Sequence, residues 1–158
     1  MAKILPLRSQ LALHTRCENQ IANEIDREPV RFGDTLRVED FRKEYPHEVH
    51  RPVSPSRKYN CHGLCFAGRR TWIDDSQEIA KIIEDDEYQK VPYAEVQPGD
   101  VAIYYVDGDA EHSGIVVSLD DLKVPSVLSK WGPFHEVVHK VARCPYDAQN
   151  VVYYRIKT

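Results

Sequence analysis

The chain has 158 residues, 42% of them hydrophobic and 29% charged, with a formal net charge of -4 and a sequence pI near 6.0. That length suits one domain with one core, and an acidic chain without a clustered basic face is excluded as a general binder of nucleic acid or anionic membrane. No window reaches the roughly 20 apolar residues that insert across a bilayer, and MAKILPLRSQ lacks an apolar run with a small-residue cleavage site, so the expectation is a cytoplasmic protein that reaches any external substrate without a cleaved signal.

In chain order, SQLALHTRCENQIANEIDR (9–27) carries Leu13, Cys17, Ile21, Ala22 and Ile25 at spacings of three to four, which predicts a helix with Cys17 in its apolar stripe. PVRFGDTLRVEDFRKEYP predicts a short extended piece, then a turn of helix opening at Glu39 or Asp40 and stopped by Pro46. HRPVSPSRK (50–58), with two prolines and no period, reads as a loop. CHGLCFAGRRTW has small and apolar residues at helical spacing, and DDSQEIAKIIEDDEY predicts an amphipathic helix with an acidic start. The turn VQPGD then opens about five strands: VAIYYV, HSGIVVSL, VPSVLSKW, EVVHKVA and NVVYYRIK. Helices first and strands afterwards predict an α+β fold, N-terminal helices packed on a single antiparallel sheet of about five strands. The expected organisation is one domain over 1–158, with 1–58 a helical extension of unassigned role and 59–158 the catalytic core.

Two stretches carry chemistry. His135, Glu136 and His139 spell H-E-x-x-H, a zinc metalloprotease motif when it lies on a helix. Here the stretch is bracketed by Gly132, Pro133 and Pro145, its centre is β-branched, and no His or Glu follows as third ligand, so it reads as a strand with His135 and His139 on one face. Cys61 instead follows a polar loop and opens a helix, where free N–H groups and the helix dipole stabilise a thiolate and receive an oxyanion. Asn60 is a candidate cap, and Tyr59, Asn60 and Gly63 are the residues expected to meet the substrate. His112, opening HSGIVVSL after the acidic turn DGDAE, is the candidate base. The third, orienting residue falls at Ser129, which shares an inward face with Val127 and Trp131, or at His135 or His139.

In their order, NCHGL (60–64), QPGDVAIY (97–104) and HSGIVV (112–117) resemble the NlpC/P60 and CHAP superfamily of papain-like cysteine amidases and peptidases; the likeness covers about 60–131. The resemblance implies a papain-like fold, Cys61 as nucleophile and His112 as base in the cleavage of amide bonds, commonly in peptidoglycan peptides. It puts the third residue at Ser129, where the family usually has histidine, asparagine, glutamine or a carboxylate, and His62 where it often has serine. The order of cysteine before histidine is unlike that of the permuted lipid acyltransferase branch.

The reading is therefore a cysteine hydrolase with no cofactor and no metal, acting on a peptide or peptidoglycan substrate, with a secretion or immunity partner where delivery requires one. The competing readings are a protein-directed intracellular thiol peptidase, deamidase or acyltransferase, the HEVVH metalloprotease, a structural zinc site from Cys61, His62, Cys65 and Cys144, and a non-catalytic binding module. Four sparse cysteines are expected to stay reduced, with Cys65 and Cys144 as packing residues.

Overall fold

The computed structural model describes residues 6–52 and 54–158. In chain order the elements are β1 (Arg8–Ser9), β2 (Ile25–Asp26), α1 (Phe32–Glu44), β3 (Val49–His50), α2 (Cys61–Ala67), α3 (Ser76–Asp85), β4 (Tyr88–Val91), β5 (Val101–Val106), β6 (Asp109–Leu119), β7 (Pro125–Lys130), β8 (Glu136–Lys140) and β9 (Val151–Ile156). Strands β3 to β9 make one antiparallel sheet in the order β3-β8-β7-β6-β5-β9-β4, and β1 pairs with β2 apart from it. The expected fold of N-terminal helices on a single sheet of about five strands is thus corrected. The described residues form a mostly β molecule with a seven-stranded sheet, a two-stranded one and three short helices.

The largest difference lies in residues 9–27, which form no helix. Burial alternates from Ile21 to Ile25, with Ile21, Asn23 and Ile25 inside and Ala22 and Glu24 outside. The period is two, and the buried polar Asn23 with the exposed Ala22 made the apolar spacing look helical. Asn23 satisfies extended backbone rather than helical turns: its Oδ1 accepts from Leu11 N–H at 2.9 Å, and its Nδ2 donates to the carbonyls of Leu11 and Ile21, both at 2.9 Å. Cys17, expected in the core, is exposed in the turn that this segment makes. α1 begins seven residues earlier than the expected Glu39, because Phe32 and Leu36 are apolar yet exposed and blur its inward face of Val38 and Phe41.

The sheet is covered on both faces. Ile21, Ala67, Ile73, Ile79 and Ile82 pack with Val101, Ile103 and Tyr154 on the α2 and α3 side, while Phe41, Trp131, Cys144 and Val137 pack with Ala102, Tyr104 and Val116 on the α1 side. Residues 101 to 104 alternate between these clusters, as strand geometry requires. Strands β5 and β6 join through Asp107-Gly108, both at positive φ (51° and 87°), the pairing that a two-residue hairpin with right-handed twist needs. The turn before β5 is pinned by Asp100, whose carboxylate accepts from Gln97 N–H at 2.9 Å and from the Arg155 guanidinium at 2.7 and 2.8 Å. Among the described residues no helix is long and apolar enough to cross a membrane.

Candidate active site

Cys61 is the first residue of α2 and is buried. Asn60 fixes this helix start: its Oδ1 accepts from Gly63 N–H at 2.9 Å and Ile73 N–H at 3.1 Å, and its Nδ2 donates to the Ile73 carbonyl at 2.7 Å. Leu64 N–H bonds the Asn60 carbonyl, so the first-turn N–H groups left without a helical acceptor are those of Cys61 and His62. Gly63 is required by packing. A Cβ there would stand 1.8 Å from the Thr71 carbonyl oxygen and 3.2 Å from the Tyr59 Cβ.

Both ends of α2 are latched to one carboxylate. Tyr59 donates to Glu136 Oε1 at 2.8 Å from just before the helix; Arg69, just after it, forms a two-pronged pair with the same group, its Nη2 lying 3.2 Å from Oε2. Burial would raise the Glu136 carboxyl, but bonds from Arg69 and Tyr59 hold it below the usual range. Lys130, fully buried at the end of β7, donates from Nζ to the carbonyls of Ser56 (2.6 Å), Tyr59 (3.2 Å) and Gly132 (2.7 Å) and lies 4.7 Å from the centre of the Tyr59 ring. Burial draws its ammonium down to about 7, against the opposing charges of Cys61 and Glu136. The loop that delivers Cys61 is thereby tied to β7 and β8.

Two imidazoles address the thiol. Burial alone would raise the Cys61 pKa; the positive charges of His62 and His112 outweigh it and bring the thiol well below its ordinary value. His62 bonds Ser113 Oγ through Nδ1 at 2.8 Å and the Ala110 carbonyl through Nε2 at 3.0 Å. His112 is fully buried, stacked on Tyr146 with centroids 3.6 Å apart and planes 6° apart, and met edge-on by Tyr104 at 5.0 Å. Neither of its ring nitrogens has a well-formed hydrogen bond among the described residues. The rings are placed by β6, where His112 pairs across the ladder with Tyr104 and the next residue, Ser113, turns toward α2.

The ring of His112 lies near enough to the Cys61 thiol for its charge to act on it, and the hydroxyl of Ser129 bonds neither of them. Its Oγ bonds His139 Nε2 at 2.6 Å and accepts from Trp131 Nε1 at 3.1 Å. A Cβ on Gly114 would meet the Ser129 Cβ at 3.2 Å, so Ser129 stands beside Gly114, two residues along β6 from His112. His112 is held by two aromatic rings, and the orienting role expected of Ser129 is not what its contacts support. His135 is no closer to that role: its Nε2 bonds His50 Nδ1 at 2.8 Å. Tyr59 and Gly63, expected to meet substrate, are both taken up internally, whereas Asn60 caps α2 and also lines the cleft. EVVH lies in β8 with His135 just before it, and Glu136 faces α2 while the two histidines bond elsewhere. Of the four residues of the second zinc reading, Cys65 packs on the α2 side and Cys144 on the α1 side. The described residues contain no group of three or more His, Cys, Asp or Glu placed to hold a metal ion.

Sequence reasoning missed His62, Lys130, Glu136, Tyr104 and Tyr146 as parts of the site. His62 stood out as a departure from the resembled motif and as a ligand in the structural-zinc reading, Glu136 only as the glutamate of H-E-x-x-H, and Lys130 carried the ordinary signal of surface charge. Cys61 and His62 line a cleft of about 450 Å³ together with Tyr146 and Gly132 and an acidic rim of Asp74, Asp75, Asp109 and Glu111. Across the Trp72–Asp75 loop a second cleft of about 480 Å³ continues along Asn23, Glu24, Asp26 and Arg57. Comparison of the chain with protein-family models, with curated proteins and with solved structures finds no match.

Proposed function

We propose that the protein is a cysteine hydrolase that cleaves amide bonds, with Cys61 as nucleophile and His112 as proton carrier, acting on peptides of the kind found in peptidoglycan. The observation that carries this reading is the buried Cys61 thiol at the start of α2 with two imidazoles depressing its pKa, at the mouth of an open cleft. A low-pKa thiolate is the form of cysteine that attacks a carbonyl carbon. The thiolate forms the carbon–sulfur bond, the carbon–nitrogen bond breaks, and His112 gives its proton to the leaving amine. Water then attacks the thioester, His112 takes its proton, and the acid product leaves with the thiolate restored. Unpaired nitrogens on His112 suit this traffic, because no protein hydrogen bond is broken when the ring gains or loses a proton.

The substrate class is suggested by the resemblance to NlpC/P60 and CHAP enzymes, and the acidic rim favours peptides bearing a free amine over those bearing extra carboxylates. Incubation with purified muropeptides, read by mass spectrometry, is expected to give one new amine and one new acid per cleavage, with no product from Cys61→Ala. Iodoacetamide should label Cys61 ahead of Cys17, Cys65 and Cys144 near neutral pH. Undiminished cleavage by Cys61→Ala, or labelling that does not favour Cys61, overturns the mechanism; cleavage of proteins but not of muropeptides overturns the substrate class alone.

A further inference from the structure

We infer that the two imidazoles have separate duties: His62 is a fixed cation that stabilises the Cys61 thiolate, and His112 alone moves the proton. The inference rests on the reading of Cys61 as nucleophile and concerns a residue to which that reading gives no step.

The hydrogen-bond partners of His62 carry the argument. A carbonyl oxygen only accepts, so the bond from Nε2 to the Ala110 carbonyl at 3.0 Å fixes a hydrogen on Nε2. A hydroxyl either donates or accepts, so Ser113 Oγ, 2.8 Å from Nδ1, serves the neutral ring as donor and the charged ring as acceptor after rotation of its hydrogen alone. His62 can therefore carry a proton on both nitrogens with no bond broken and no heavy atom moved. Its burial would oppose that charge, but the Cys61 thiolate beside it, the Ala110 carbonyl and the Asp74 carboxylate favour it. The titratable groups around the ring are Cys61 on its own helix, Asp74 and Asp75 ahead of α3, and Asp109, Glu111 and His112 on β6.

His112 is built the opposite way. Its ring is clamped between Tyr146 and Tyr104, and its nitrogens have no partner in which to invest a proton permanently. In the cycle above His112 is neutral only while Cys61 is acylated, and the saturated His62 ring keeps a positive charge beside the sulfur whatever the state of His112. That charge favours the thiolate both as nucleophile before attack and as leaving group when water displaces it.

Three measurements on the full chain test this. Nitrogen NMR of the wild-type protein at neutral pH is expected to find both His62 ring nitrogens protonated, and in Cys61→Ala that charge should be lost at a lower pH. The pH profile of Cys61 alkylation is expected to inflect below the free-thiol value of about 8.5 and to rise by about one unit or more in His62→Gln, a tenfold loss of thiolate at a given pH below the inflection. Ser113→Ala, which leaves the ring in place, should raise the inflection by a smaller amount. His112→Gln should abolish muropeptide turnover. A neutral His62 ring in the wild type overturns the inference, as does an unmoved inflection in a folded His62→Gln or, if that variant does not fold, in Ser113→Ala. A wild-type Cys61 that titrates as an ordinary thiol overturns the underlying reading of the site instead.

Discussion

Removing the charge from Glu136 would leave Tyr59 and Arg69 directing their donors at an amide that can accept only half as much. Because Glu136 is buried at 1% exposure and bonds residues on both sides of α2, Glu136→Gln is expected to lower stability by about 2 kcal/mol, discounted for the half-exposed Arg69. A shifted urea midpoint would show this, and the activity that remained should be reduced through displacement of Cys61. A zinc protease would respond differently, losing turnover at unchanged stability, so the same variant separates the two roles of the HEVVH glutamate. At this scale the sequence was informative where local chemistry is self-contained. Asn60 before Cys61 is a capping arrangement readable within four residues, and its bonds to Gly63 and Ile73 are of that kind. Ser129 was legible as an inward-facing residue but its partners were not, because alternation gives the face of a strand and not its register. Its neighbour across the ladder is Gly114, and the clamp on His112 comes from Tyr146, 34 positions away, by a contact that no local pattern encodes.

Strand β8 and the residues beside it form a histidine ladder whose protonation the fold resists. His50 must donate from Nε2 to the Tyr45 carbonyl at 2.8 Å, so in its neutral form Nδ1 accepts from His135 Nε2, and His135 Nδ1 is left buried without a partner. Burial, with the charges of His50, Arg42 and Lys130, draws His135 down to about 4, and burial draws His139 down to about 4. In the unfolded chain both titrate near 6.5. Between those values the unfolded state binds protons that the native state refuses, so stability is full above about 6.5 and falls as the pH drops toward 4, by roughly 3 kcal/mol for each ring at the acid end. Glu136, whose carboxyl is depressed, adds loss in the same direction at still lower pH. The urea midpoint is expected to fall between pH 7 and 5, and His139→Asn should flatten that slope; an equal midpoint at both values contradicts the assignment. Elements were legible in proportion to their apolar regularity. The alternating strands of the second half and α3, with Ile79 and Ile82 inward and Asp75 capping Gln77 N–H, follow the expected pattern. Residues 9–27 and α1 do not, because Asn23 is buried and Phe32 and Leu36 are exposed against their polarity.

Over the whole molecule the described residues before Tyr59, 6–52 and 54–58, are part of the packed structure. Ile21 sits in the cluster beneath α2 and α3, Phe41 packs edge-on against Trp131 with centroids 5.1 Å apart, and β3 closes the sheet beside β8. A chain beginning at Tyr59 would expose both faces of the core and lose the Ser56 carbonyl that Lys130 holds. It is expected to lack a cooperative thermal transition by circular dichroism where the full chain has one. The sheet order could not be read from the sequence, since β9 inserts between β5 and β4 from the far end of the chain and only long-range packing selects that place. The two outermost strands are β3, two residues long with Pro52 two positions later, and β4, four residues long with Pro92 directly after it. Short, proline-stopped borders offer a neighbouring chain few unpaired peptide groups to zip onto. A sheet seven strands wide can thus be kept at high concentration without seeding fibrous aggregates through its margins.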